Sequence, residues 1–278
     1  MKILLISGHG AGDSGACATI DGVLYKEADE AIVMVRKIEE RLKAYDVEVD
    51  VYPIERNAYE DAKSGCLRVD LAKYDYVLEI HFNACVNDLK GNGRVTGSEA
   101  FVTTSDKTME VETRILSELK ELGFTNRGIK SHNWTVINRA KTKGADSCLL
   151  EICFIDDRDD MLLYVSNRDG IADGIVAGMV YGLGLTKKVT LDYGPVFDAQ
   201  YYAKKNPDVR KSYGTDKSKL LQHFIKYGMK EGRLSHPDFN VKKYKKRYKD
   251  LQKAFGDDYQ KYYMHYLNYG IKEGRKGK

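Results

Sequence analysis

The chain of 278 residues has no run near the ~18 apolar residues that a membrane-crossing helix needs, so a helical membrane protein is excluded. No cleavage site follows the opening apolar run Ile3–Ile6, which therefore reads as a buried strand and not as an export signal. Cysteine is sparse and odd in number. Cys17, Cys66, Cys85, Cys148 and Cys153 form no CxxC, which argues against a disulfide framework and suits a reducing cytosol. The glycine-rich stretch Gly8–Gly15 lacks the Gly-Lys-Ser/Thr ending of a phosphate loop, so its glycines are read as a tight turn that exposes His9. What is present is 42% hydrophobic and 31% charged residues, enough for a folded core.

The net charge of +4 hides a split. Residues 187–278 carry 23 Lys and Arg against 10 Asp and Glu, a net of +13, which leaves −9 for residues 1–186. Twelve of the 20 tyrosines also fall in the basic part. Two composition regimes imply two domains with different partners: 1–186, a linker at 187–195, and 196–278.

In the first part strand-like and helix-like segments alternate. Lys2–Ser7, Val47–Tyr52, Tyr76–Ile80, Ser98–Val102, Trp134–Ile137 and Cys148–Ile152 read as strands; Glu27–Tyr45, Thr108–Leu122 and Asp169–Leu185 read as helices. The expectation is an α/β domain, a mostly parallel twisted sheet flanked by helices. The second part is a tandem repeat with a 42-residue step: Phe197 to Phe239, Tyr202 to Tyr244, Asp208 to Asp250, His223 to His265, and Glu231-Gly232-Arg233 to Glu273-Gly274-Arg275. The copies span about 197–234 and 239–276. Each is expected to form two helices, with Asp198 capping the first and Leu220, Leu221, Phe224 and Tyr227 on one face of the second.

Six histidines bound the chemistry. His223 and His265 are repeat-equivalent and read as structural, and His236 beside Pro237 as part of a turn. His9 and His81 differ, since each directly follows an apolar strand, where ligands gather in open α/β sheets. They could share a metal, with Glu27 at the start of the first helix as a third ligand; two unconnected histidines are the alternative. Glu151 is an acid inside the apolar run Leu149–Phe154. Burial there raises a carboxyl pKa toward acid/base work, unless Arg127, Lys130 or Arg139 pairs with it. Cys153 is read as turned to the opposite strand face from Glu151, and His132 before Trp134 as lining a groove or as plain surface.

At these residues the chain resembles the zinc-dependent N-acetylmuramoyl-L-alanine amidases of the type 3 family, over about residues 1–185. Five motifs occur in order: Ile6-Ser7-Gly8-His9-Gly10, Gly22 through Glu27-Ala28-Asp29, His81-Phe82-Asn83-Ala84, Asn126-Arg127-Gly128-Ile129-Lys130, and Glu151 through Phe154-Ile155-Asp156. Cys153 and Asp156 depart from the family's Gly and Asn. The resemblance implies Zn2+ on His9, Glu27 and His81, and Glu151 as the acid/base. It also implies a substrate groove near Asn83, Arg127, Lys130 and His132. The bond cut would be the amide between N-acetylmuramic acid and L-alanine of peptidoglycan. The basic part resembles tyrosine-rich repeats appended to wall-active proteins. It is expected to bind an anionic, sugar-containing surface such as teichoic acid, other wall polymer or the glycan; neither nucleic acid nor membrane is expected as partner. A lysine face that only stabilises or dimerises the enzyme is the alternative. The lack of an export signal suggests an endolysin held in the host cytoplasm until release. Two other functions stand beside it, a non-catalytic peptidoglycan-binding protein and a different zinc peptidase.

Overall fold

Apolar residues without polar alternation suit a strand buried on both faces, and Ile3–Ser7 is buried throughout. In the computed structural model, which describes residues 1–188 and 191–278, this strand lies inside a six-stranded sheet. The chain forms two compact units, Met1–Lys188 and Val189–Lys278.

The first unit runs β1 (Lys2–Ser7), β2 (Cys17–Ile20), β3 (Val23–Lys26), α1 (Glu27–Leu42), β4 (Glu48–Val51), α2 (Ala58–Lys63), β5 (Tyr76–Asn83), β6 (Ser98–Val102), α3 (Glu110–Glu121), β7 (Asn126–Ser131), α4 (Thr135–Thr142), β8 (Asp146–Phe154), α5 (Arg158–Ser166) and α6 (Arg168–Gly182). The sheet order is β4-β1-β5-β8-β6-β7. All pairs are parallel except β6 with β8, so the expected mostly parallel sheet is present. Along β1 the side chains alternate between two cores. Ile3 and Leu5 join the core with residues of α1, α3, α5 and α6, and Leu4 and Ile6 join the core with residues of α2 and α4. The result is a three-layer α/β/α sandwich.

Three local expectations are corrected. Trp134–Ile137 is not a strand: Trp134 precedes α4, in which Val136, Ile137 and Ala140 form one buried helical face, and the β-branched residues disguised the spacing. Tyr76–Ile80 extends to Asn83, so His81 lies within β5 and not after it. Cys153 does leave the face of Glu151, but not by alternation, which puts residues two apart on the same side. The β5–β8 register shifts between His81 and Asn83, opposite Glu151–Phe154, and this irregularity turns both Ile152 and Cys153 into the α1-side core.

The second unit consists of α7 (Ala199–Lys205), α8 (Pro207–Tyr213), α9 (Lys217–His223), α10 (Val241–Arg247), α11 (Lys249–Phe255) and α12 (Tyr259–His265). Each copy thus has three short helices and not two. The third of each continues into a wider π turn, Phe224–Gly228 and Tyr266–Gly270. Pro207 opens α8, where its missing N–H costs nothing. Asp198 caps α7 by accepting from the N–H of Tyr201, at 2.6 Å. Gly228 and Gly270 are needed for close approach: a Cβ there would come within 2.3 and 2.4 Å of the hydroxyls of Tyr202 and Tyr244. Tyr202, Tyr244, Tyr262 and Tyr263 form the core of this unit with Phe224 and Phe239. Tyr227, expected on the buried face, is 44% exposed. Of the linker expected at 187–195, Lys188 donates its N–H to Ala44 O, Tyr193 packs on the second core, and residues 189–190 lie outside the described residues.

Candidate functional site

His9 follows the end of β1, His81 lies near the end of β5, and Glu27 opens α1. The β2–β3 hairpin carries the chain from the His9 loop back to Glu27, turning at Asp21-Gly22, both with positive φ. The structure brings the three together: one ligand atom of each lies within 4.8 Å of the others. The Glu27 carboxylate stands between the two imidazoles. Oε1 is 2.9 Å from His81 Nδ1, and Oε2 is 3.3 Å from His9 Nε2. Oε1 also accepts from the Phe82 N–H and Oε2 from the Ala16 N–H. Burial opposes its charge, yet hydrogen bonds from His81 and His9 hold its carboxyl far below the usual range.

Two glycines make this proximity possible. A Cβ on Gly8 would overlap the His81 ring at 2.1 Å. One on Gly15, which has φ of +62°, would meet Glu27 Oε2 at 2.6 Å and His9 Cδ2 at 2.7 Å.

The outer nitrogens of the imidazoles face acids that the sequence did not single out. His9 Nδ1 is 2.7 Å from Asp13 Oδ2, and Asn57 Nδ2 donates to that same oxygen at 3.1 Å. His81 Nε2 is buried without a hydrogen-bond partner, 3.4 Å from Glu79 Oε1. Two imidazoles and one carboxylate, each imidazole with a carboxylate behind it, form a donor set and support suited to zinc.

Glu151 is the register partner of His81 and lines the same cleft as His9, His81, Glu79, Tyr59 and Trp134. None of the three basic residues offered as partners pairs with it. Arg127 Nε and Lys130 Nζ bind Glu99 Oε2 instead, at 2.8 and 2.6 Å, and Asn83 Nδ2 donates to Glu99 Oε1 at 2.8 Å. One Glu151 oxygen is buried with no partner. Burial first, and then the negative Glu27, Glu99 and Glu79, push its carboxyl from 4.5 to about 7 against the pull of His81. Glu99, directly opposite Glu151 on β6, keeps its charge despite burial because Lys130 and Arg127 pair with it. Two neighbouring carboxyls are thereby driven apart, one ionised and one poised for proton transfer.

Of the expected groove residues, Asn83, Arg127 and Lys130 converge on Glu99. Neither these three nor His132 line the cleft; His132 packs against Trp134, ring centroids 4.2 Å apart, and Trp134 lines the cleft at 44% exposure. Glu99 was legible by the rule that found Glu151, an acid inside an apolar strand.

Residues 3–181 match the family model Amidase_3, N-acetylmuramoyl-L-alanine amidase. Solved structures share this fold. The catalytic domain of CwlV, an N-acetylmuramoyl-L-alanine amidase from Bacillus (Paenibacillus) polymyxa var. colistinus, is 21% identical, with 66% of this chain and 99% of that chain covered and a TM-score of 0.51. AmiC2 of Nostoc punctiforme, also an N-acetylmuramoyl-L-alanine amidase, is 19% identical, with coverage of 66% and 97% and a TM-score of 0.51. A putative N-acetylmuramoyl-L-alanine amidase from Neisseria meningitidis is 26% identical, with coverage of 67% and 97% and a TM-score of 0.50. No curated protein matches the chain by sequence.

Proposed function

The chain belongs to the N-acetylmuramoyl-L-alanine amidase family, and from that premise we propose that His9, Glu27 and His81 hold a zinc ion, that Glu151 moves the proton, and that the basic repeats bring the enzyme to the wall. Its activity is hydrolysis of the amide between N-acetylmuramic acid and L-alanine in peptidoglycan. The zinc would supply Lewis acidity toward water and the scissile carbonyl. Glu151 accepts a proton from the attacking water and returns it to the departing L-alanine amine. A carboxyl near pH 7 can do both, since it is neither firmly charged nor firmly neutral. Trp134 at the cleft offers an aromatic face to the glycan, and Glu99, the strand neighbour of Glu151, holds Arg127 and Lys130 by ion pairs. The observation that carries this reading is the unpaired Glu151 oxygen in the same cleft as His9 and His81.

Mass analysis of digested peptidoglycan tests it. Free L-alanine N-termini are expected, abolished by chelation and restored by Zn2+. Freed C-terminal residues would instead mark a peptidase, and no products a binding protein. Asp13 offers a separate check on the metal set. Asp13→Ala removes the acceptor beside His9 Nδ1 that orients this ring and leaves Nε2 to take a metal, so zinc affinity should fall 10–100-fold in competition with a chelator, with unchanged far-UV circular dichroism. Equal affinity would remove Asp13 from a positioning role.

For the second unit, the net of +13 supports recognition of an anionic wall polymer such as teichoic acid. Its tyrosines contribute less surface than the sequence suggested, because four of them build its core.

A further inference from the structure

The two repeat copies have diverged at most positions, so what they still share is informative. Much of it has a visible structural job. Phe197 and Phe239 pack on the core, and Asp208 with Arg233 repeats as Asp250 with Arg275, at 2.7 and 2.8 Å. Tyr227 and Tyr269 are different. They are shared, yet 44% and 60% exposed, and an exposed ring on a helix adds little to folding.

Each of these rings stands beside a fixed imidazole. His223 Nδ1 is 2.9 Å from the Tyr202 hydroxyl, and His265 Nδ1 is 3.1 Å from that of Tyr244. In the first copy the His223 ring is flanked by Tyr227 at 5.4 Å and Tyr213 at 5.7 Å between centroids. In the second, Tyr269 and Phe255 flank His265 at 5.7 and 5.8 Å. Burial, helped by Arg233 and Arg275, lowers both imidazole pKa values, so the rings present hydrogen-bonding groups more than charge. The π turns coincide with these rings, and such turns recur at functional sites. Exposed Lys230 and Lys272 follow at the same offset, three residues beyond each tyrosine.

We propose that each copy carries one shallow site for a phosphate-bearing sugar polymer, built on Tyr227 beside His223 and on Tyr269 beside His265. The ring takes the C–H face of a sugar, and the lysines take the phosphate. The inference rests on the wall-targeting reading and adds the site and the ligand chemistry. Two equivalent sites suit a polymer of repeating units, which both can hold at once.

The test is sedimentation of the full chain with purified walls, native or stripped of teichoic acid. The Glu151→Gln background prevents digestion during binding. Tyr227→Ala or Tyr269→Ala should weaken binding to native walls roughly 10-fold, and the pair roughly 10²-fold. Tyr227→Phe should retain binding, since it keeps the ring. Far-UV circular dichroism and the melting transition of the isolated 189–278 unit should be unchanged by the double substitution, which confirms its fold, and in the wild-type background hydrolysis of soluble muropeptides by the full chain should be unchanged as well. If the double variant pellets like the unsubstituted protein, the tyrosine site is wrong and wall targeting stands. Equal pelleting with stripped walls overturns the phosphate component. If even the unsubstituted protein stays in the supernatant, the wall-targeting reading fails and takes the site with it.

Discussion

Glu151→Gln will lower turnover by at least ~10²-fold and, in the metal-free protein at pH 8, raise stability by a few kcal/mol. The two effects have one cause. Glu151 titrates from 4.5 to about 7 on folding because burial disfavours its charged form. A carboxyl with a raised folded-state pKa contributes its full stability below pH 4.5, where it is protonated in both states. That contribution is lost as pH rises through 7, because the folded protein must then hold a buried carboxylate. Gln has no charge to bury, so the variant should match the wild type at pH 4 and exceed it at pH 8. Denaturant melts of chelated protein at the two pH values measure this, beside kinetics and zinc content of the loaded enzyme. A variant that loses zinc would move Glu151 into the ligand set. Equal stability at pH 8 would mean that a partner neutralises Glu151 in solution.

Glu151 shows what was legible and why. An acid inside Leu149–Phe154 violates the apolar pattern, and such a violation carries information without any knowledge of the fold. His9 and His81 were legible through strand ends, although β5 proved three residues longer than its apolar run because His81 and Asn83 still pair with β8. Asp13 was not legible: acids are common, and what distinguishes this one is the imidazole nitrogen it faces, a property of the packed loop. Glu79, an acid inside the apolar strand Tyr76–Ile80, follows the rule that found Glu151, and only its place beside His81 needed the sheet. The β2–β3 hairpin was missed despite its Asp21-Gly22 turn, since its strands are short and half exposed. β7 carries no apolar alternation to read, because it is an edge strand whose side chains are mostly exposed. In the repeats, the 42-residue step was plain. The split of each leading helix was not, because Asn206-Pro207 interrupts one copy and Tyr248-Lys249 occupies those positions in the other.

Ending the chain at residue 188 should leave hydrolysis of small soluble muropeptides unchanged and reduce lysis of intact cells by at least ~10²-fold in dilute buffer. The cut falls between the two units, and the first keeps both of its cores. Soluble fragments do not require the enzyme to approach a charged surface, so the metal ligands and Glu151 suffice for them. An intact anionic wall does require it, and there the −9 of residues 1–186 opposes approach while the +13 of the repeats favours it. Salt separates this account from a general loss of stability. At 0.1 M the screening length is ~10 Å, so added salt weakens long-range attraction and repulsion alike. The full chain should therefore lyse cells less well as salt rises, the truncated chain somewhat better, and the two curves should converge. Stability loss would instead lower the truncated protein's activity on soluble substrate too, at every salt concentration. Parallel salt curves with intact soluble activity would mean that the repeats bind through uncharged contacts alone, and the lysines would then need another role.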